Sequence, residues 1–221
     1  MVQVARDYLV IRQRARTETV VKRSRFIATA SPVKDEAEAQ QFVDEIRREF
    51  WDATHNVYAF TVGDNDEIVR SSDDGEPSGT AGRPVLEVIL KEGIKHCAVV
   101  VTRYFGGTLL GAGGLVRAYG AAAREALHAA GIARVVPAHE VSFVVDYPAV
   151  GKVQSYLASR GYSVLGVDYL ETATIRVLVP APELERFHAD LTDMLLGRYW
   201  PMVGEETRAL VDPEKGGSSL P

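Results

Sequence analysis

From Arg70 to Tyr119 the chain sets two polar, glycine-rich loops around one apolar stretch. The first reads R-S-S-D-D-G-E-P-S-G-T-A-G-R-P, and the second T-R-Y-F-G-G-T-L-L-G-A-G-G-L-V-R-A-Y. Between them Ala98-Val99-Val100-Val101 is apolar and β-branched, the pattern of a buried central strand. The second loop runs directly into a predicted helix, Leu115–Ala130, rich in alanine. Gly131 stands where a C′ glycine ends such a helix. Glycine this dense marks backbone that turns sharply or is approached closely. Loops of this kind carry function more often than stability.

The remaining pattern predicts an α+β protein. Tyr8–Ile11 and Thr17–Val21 alternate as strands of a meander or hairpin, and residues 24–31 as another strand with Phe26 inward. Pro32–Phe50 has helical spacing at Ala39, Phe42, Val43 and Ile46, with Asp35 as N-cap. His55–Val62 alternates as a strand and ends in the turn Gly63–Asp66, with Ile68–Arg70 returning. Val85–Leu90 reads as a short helix. Val135–Ala138 reads as a boundary. Beyond it lie strands at Glu140–Asp146, Tyr162–Tyr169, Ala173–Val179 and within Tyr199–Val211, with helices at Ala149–Ser159 and Pro182–Leu196. This βαββαβ order is ferredoxin-like. The expected organisation is residues 1–137, residues 138–211 and a polar, glycine-rich tail over 212–221, too polar to pack.

Composition narrows the classes. The chain has 221 residues, 46% hydrophobic and 25% charged, as an ordinary globular protein does. No apolar run approaches the roughly 20 residues that span a bilayer. The start, M-V-Q-V-A-R-D-Y, has no apolar export segment. One cysteine, Cys97, excludes an intrachain disulfide and any multi-cysteine metal site. A cytoplasmic protein is expected. The net charge of −5 falls on residues 138–221, while residues 1–34 carry eight basic and two acidic residues. That basic arm, with Lys22, Arg23 and Arg25, reads two ways. It attracts a phosphate-bearing partner such as RNA, or it guards a solvated edge strand.

The glycine loop completes neither of the two common nucleotide motifs. Gly106-Gly107-Thr108-Leu109-Leu110-Gly111 has the opening spacing of a P-loop, but Ala112-Gly113 replaces its Lys and hydroxyl. Val116 stands where a dinucleotide fingerprint from Gly111 needs its third glycine. A strand, glycine loop and helix N-terminus remain, a place that favours an anion. Gly106, Gly107, Thr108, Gly111, Gly113 and Gly114 would supply backbone there, and Arg83, Arg103 and Arg117 charge. Alternatively the glycines only permit close helix–strand packing. Asp73, Asp74 and Glu76 lack EF-hand spacing, and read as a solvated acidic turn or as partners of Arg70, Arg83 or Arg103. Ser78 sits in G-E-P-S-G, not a nucleophile elbow. His55 is the one histidine at a plausible loop surface. No catalytic constellation, cofactor or metal site is expected, and His55, Asp73, Asp74, Glu76 and Ser78 form a polar group without an assigned role.

Four segments resemble the IMPACT family, in its bacterial YigZ-type branch: K-R-S-R-F-I-A (Lys22–Ala28), D-A-T-H-N-V-Y-A-F (Asp52–Phe60), Ser71–Pro84 and Thr102–Tyr119. The resemblance implies an N-terminal left-handed βαβ domain, as in ribosomal proteins and elongation factor G, and a C-terminal ferredoxin-like domain. Eukaryotic members restrain a kinase of translation initiation by competing for its activator, through an additional N-terminal domain, so that role is not expected to transfer. The resulting expectation is a non-enzymatic, translation- or stress-linked regulator. It would bind RNA, the ribosome, a regulatory protein or another phosphate-bearing partner through the glycine- and arginine-rich loops, without a membrane. The alternative is a hydrolase or transferase acting on a small phosphorylated or peptide-like substrate between loops 71–84 and 103–117.

Overall fold

Period-two alternation in the strand over Cys97–Tyr104 divides the N-terminal core into two layers. In the computed structural model, which describes residues 7–213, Val99 and Val101 face one apolar cluster while Ala98 and Val100 face another. The chain divides into two compact units, Tyr8–Arg134 and Val135–Val211, and both of these clusters lie in the first.

The first unit is built on β2 (Ala15–Val21), β3 (Ser24–Pro32), β4 (His55–Val62), β5 (Ile68–Ser72) and β6 (Cys97–Tyr104). Their order is β2-β3-β6-β4-β5, and β6 pairs antiparallel with both β3 and β4. Helix α1 (Glu36–Glu49) joins β3 to β4, and Ala39, Phe42, Val43 and Ile46 cover Phe60, Val62, Ala98 and Val100. Asp35 caps α1 by accepting from the Glu38 N–H at 2.8 Å. Helices α2 (Gly82–Lys91) and α3 (Ala112–Ala129) belong to the cluster on the opposite face, with Phe26, Val57, Ala59, Val99 and Val101. Cys97 is buried in this cluster, and desolvation pushes its thiol up to about 12.

Tyr8–Ile11 forms β1, but it does not make a hairpin with β2. It pairs with β7 (Ile132–Val145), and the Arg12 N–H donates to Gly131 O at 2.8 Å. Alternation marked both segments as strands but carried no information about their partners. The true hairpin is β2–β3, closed by Lys22 and Arg23 with φ of 46° and 69°.

The second unit takes most of β7, then α4 (Tyr147–Arg160), β8 (Ser163–Tyr169), β9 (Ala173–Pro180), α5 (Leu184–Met194) and β10 (Met202–Val211). The order β10-β7-β9-β8, with Val153, Leu157, Phe187 and Leu191 in the core, is the ferredoxin-like arrangement. Its first strand starts at Ile132, earlier than the Glu140 expected from alternation. The protein is therefore mixed α+β, with two sheets and five α-helices among the described residues. The expected tail falls largely outside them. No helix among the described residues is long and apolar enough to cross a membrane.

Candidate functional site

The register across three strands places Phe26, Arg103 and His55 side by side, since Arg103 of β6 opposes Phe26 of β3 and His55 of β4. All three have the parity of Val99 and Val101, so they face the α3 side. The row sits at the end of the sheet where the first loop and the start of α3 also lie.

The acidic residues of the first loop are inward partners rather than a solvated turn. Asp73 accepts from the N–H groups of Gly79 (2.8 Å), Ala81 (3.0 Å) and Gly82 (2.8 Å), and so caps α2 from a distance. Asp74 accepts from the Asn56 N–H at 2.6 Å and from Arg47 at 3.0 Å, and its carbonyl meets His55 Nδ1 at 2.8 Å. A carbonyl oxygen only accepts, so Nδ1 of His55 carries the proton. In the neutral ring Nε2 is then an acceptor, 3.8 Å from Glu76 Oε1.

Glu76 and Arg103 form a buried ion pair at 2.6 Å, with side-chain exposures of 4% and 6%. Tyr119 donates to the same oxygen at 2.7 Å. Burial, and then the bond to Glu76, push the Tyr119 hydroxyl well above its usual range, so it stays a donor. Arg103 also donates to Ser24 Oγ at 3.2 Å and lies 5.5 Å from the ring centres of Phe26 and Phe105. Its Nε–H is buried without a hydrogen-bond partner.

Above this floor is a cavity of about 420 Å³. Thr54, His55, Glu76 and Arg103 provide its polar groups, and Pro77, Phe105, Leu109, Leu110 and Leu115 much of its apolar wall. Gly111 and Ala112, the cap and first residue of α3, reach the same cavity, and no side chain caps that helix. Phe105 and Leu109 remain 46% and 82% exposed.

The arginines expected to act together occupy different settings. Arg103 is buried, Arg83 is exposed and pairs with Glu87 at 3.1 Å, and Arg117 is exposed one turn into α3. Arg70 pairs with Glu36 instead of the loop acids. Much of the basic arm is neutralised: Arg14 meets Glu45, Arg16 meets Glu49 and Arg25 meets Glu18. Lys22 and Arg23 are exposed at the hairpin tip. Gly106 packs against the backbone of Arg23 and Ser24, and its N–H donates to Ser24 Oγ at 3.2 Å. Gly107, Thr108 and Gly113 are exposed, Gly114 is half-buried, and Ser78 is exposed on the first loop. Among the described residues no group of three or more His, Cys, Asp or Glu is arranged to hold a metal ion.

The whole constellation from Lys22 to Tyr119 falls within residues 22–127, which match the Impact N-terminal domain. Over 201 residues the chain is 38% identical to "IMPACT family member YvyE" of Bacillus subtilis (strain 168), covering 91% of this chain and 93% of that one. The chain belongs to the IMPACT family. It is also 35% identical over 188 residues to "IMPACT family member YigZ" of Escherichia coli (strain K12), covering 84% and 92%. A crystal structure titled as that of a hypothetical protein, 32% identical, matches with a TM-score of 0.56 over 90% of this chain and 98% of that one. Residues 143–198 match a domain of unknown function, DUF1949.

In this IMPACT protein, sequence reasoning missed Ser24, Thr54, Phe105 and Tyr119 as members of the site. Parity along β6 carried a signal for Arg103, two residues beyond Val101 and hence inward. Nothing local marked Tyr119 as the partner of a glutamate 43 positions earlier.

Asp73 makes a testable contribution of its own. Asp73→Ala is expected to reduce stability by about 2 kcal/mol in urea unfolding, because three backbone donors lose their acceptor. Burial raises this carboxyl's pKa, but the donors at Gly79, Gly82 and Ala81 together hold it below the usual range. A depressed folded pKa gives stability that is present above the ordinary value of about 3.9 and fades as pH falls through the lower folded value. Wild-type stability should therefore decline below about pH 4 more steeply than that of Asp73→Asn. Equal slopes would show that Asp73 binds its proton alike in both states.

Proposed function

We propose that this protein is a non-enzymatic regulator, linked to translation or stress, that binds RNA or the ribosome through one face of its N-terminal unit. The observation that supports this most is the contact of Gly106 with Arg23 and Ser24. It fastens the Lys22–Arg23 tip beside the loop that leads to the start of α3. Two cations and a helix N-terminus, each favourable to phosphate, thus border one cavity-bearing face. Arg117 adds a third exposed cation on the first turns of α3. With a net charge of −5 the chain has no general attraction for nucleic acid, so the cations must act locally.

Labelled ribosomes and structured RNA should associate at low ionic strength and dissociate as salt rises. Each phosphate contact contributes about 0.7–0.9 to the slope of log affinity against log salt. Replacing Lys22 and Arg23 together by glutamate should lower that slope by about 1.5 or more. Absence of any salt-sensitive association would remove the reading.

One observation favours a second reading, a hydrolase or transferase acting on a small phosphorylated or peptide-like substrate. His55 is held at Nδ1 by a backbone carbonyl and lines the cavity, so Nε2 is free to take a proton. Turnover of phosphomonoesters or short peptides that disappears in His55→Asn would favour it over the first.

A further inference from the structure

Resting on the RNA reading above, we infer that the cavity receives one unstacked nucleobase of a single-stranded RNA segment, while the flanking phosphates stay outside on Lys22, Arg23 and Arg117. Charge decides what enters. Glu76 and Arg103 are paired at 2.6 Å and nearly enclosed, so the floor has no net charge to offer a phosphate. A phosphate placed there would face the Glu76 carboxylate and lose its water. A neutral base with a polar edge meets neither penalty.

The polar groups suit such an edge. Both hydrogen bonds of Glu76 fall on Oε1, which leaves Oε2 for a donor on the ligand. His55 Nε2 is an acceptor in the neutral ring. Thr54 Oγ1, already accepting from the Phe105 N–H, can donate its own proton.

The walls suit a flat apolar face. Phe105 packs toward Arg103 yet leaves 46% of its surface exposed, and Leu109 is exposed by 82%. Two large apolar side chains at the mouth of a partly polar cavity are poorly explained by folding alone. Aromatic stacking with splayed bases is the usual way proteins hold single strands, and it needs one accessible aromatic face. A volume of about 420 Å³ lies within the size range of small-ligand sites. Bases inside a duplex are stacked and cannot enter, so a single strand is required.

The test uses the full chain and fluorescently labelled RNA of mixed sequence, as a single strand and as a duplex, followed by anisotropy. The single strand should bind more tightly, and Phe105→Ala should weaken it about tenfold to a hundredfold without altering the salt slope. Leu109→Ala, at a side chain almost wholly in solvent, should weaken it in the same sense and guards against a misfolded Phe105 variant. Nucleoside 5′-monophosphates should compete, and ribose 5-phosphate should not. Equal binding of duplex and single strand would overturn the inference, as would equal competition by ribose 5-phosphate. If RNA binds and responds to Lys22 and Arg23 but not to Phe105 and Leu109, the inference falls and the RNA reading stands. If neither RNA form binds, both fall.

Discussion

Arg103→Met is expected to lower the unfolding free energy by about 3–5 kcal/mol, the usual result of stranding one member of a buried ion pair. The variant leaves Glu76 enclosed at 4% exposure, with Tyr119 its remaining close donor and His55 3.8 Å away. It also removes the bond to Ser24 Oγ and the guanidinium packed near Phe26 and Phe105. Urea unfolding measures the loss, and amide exchange along β6 assigns it to this unit. Adding Glu76→Gln should recover part of it, because a neutral amide is easier to bury than an unpaired carboxylate. A loss below about 1 kcal/mol would place the pair among ordinary solvent-screened contacts.

Gly106→Ala should be nearly as damaging for a different reason. Gly106 does not have the positive φ that favours glycine, so its need is for space. A methyl group there would overlap the carbonyl of Arg23 and the nitrogen of Ser24, both backbone atoms that cannot swing aside. Overpacking costs about 1–3 kcal/mol, toward the upper end where only backbone can give way, or it drives the hairpin tip from the loop. The expected result is a lower melting temperature together with RNA binding weakened as in the charge-reversed tip. An alanine variant with wild-type melting and binding would mean that the two segments are not seated on each other in solution.

These residues also show how far sequence could lead. Alternation and helical spacing were enough for α1, β4, β6 and the ferredoxin-like unit, since burial of one face fixes such patterns. The β1 segment was legible as a strand and illegible as a partner of β7, because pairing depends on contacts more than 100 residues apart that no local pattern encodes. Asp73 was visible as an acidic residue, but its capping of α2 was hidden. A local cap lies within three residues of the N–H it accepts from, whereas Asp73 reaches eight and nine residues ahead. Arg103 had two readings in the sequence, charge for an anion or a partner of the loop acids. Charge suggested an exposed ligand for phosphate, while the parity of β6 turned it inward onto Glu76.

The hairpin tip carries a consequence for the economy of the fold. Two-residue hairpins with both residues in the left-handed region strongly favour Asn-Gly. Here the pair is Lys22-Arg23, at φ of 46° and 69°. Side chains in that region cost about 1–2 kcal/mol each against glycine. The turn thus holds two long cationic side chains where the backbone disfavours any such side chain. Strain kept at a surface turn, where a softer sequence would close the same strands, is the mark of a segment shaped by what it touches more than by what it supports.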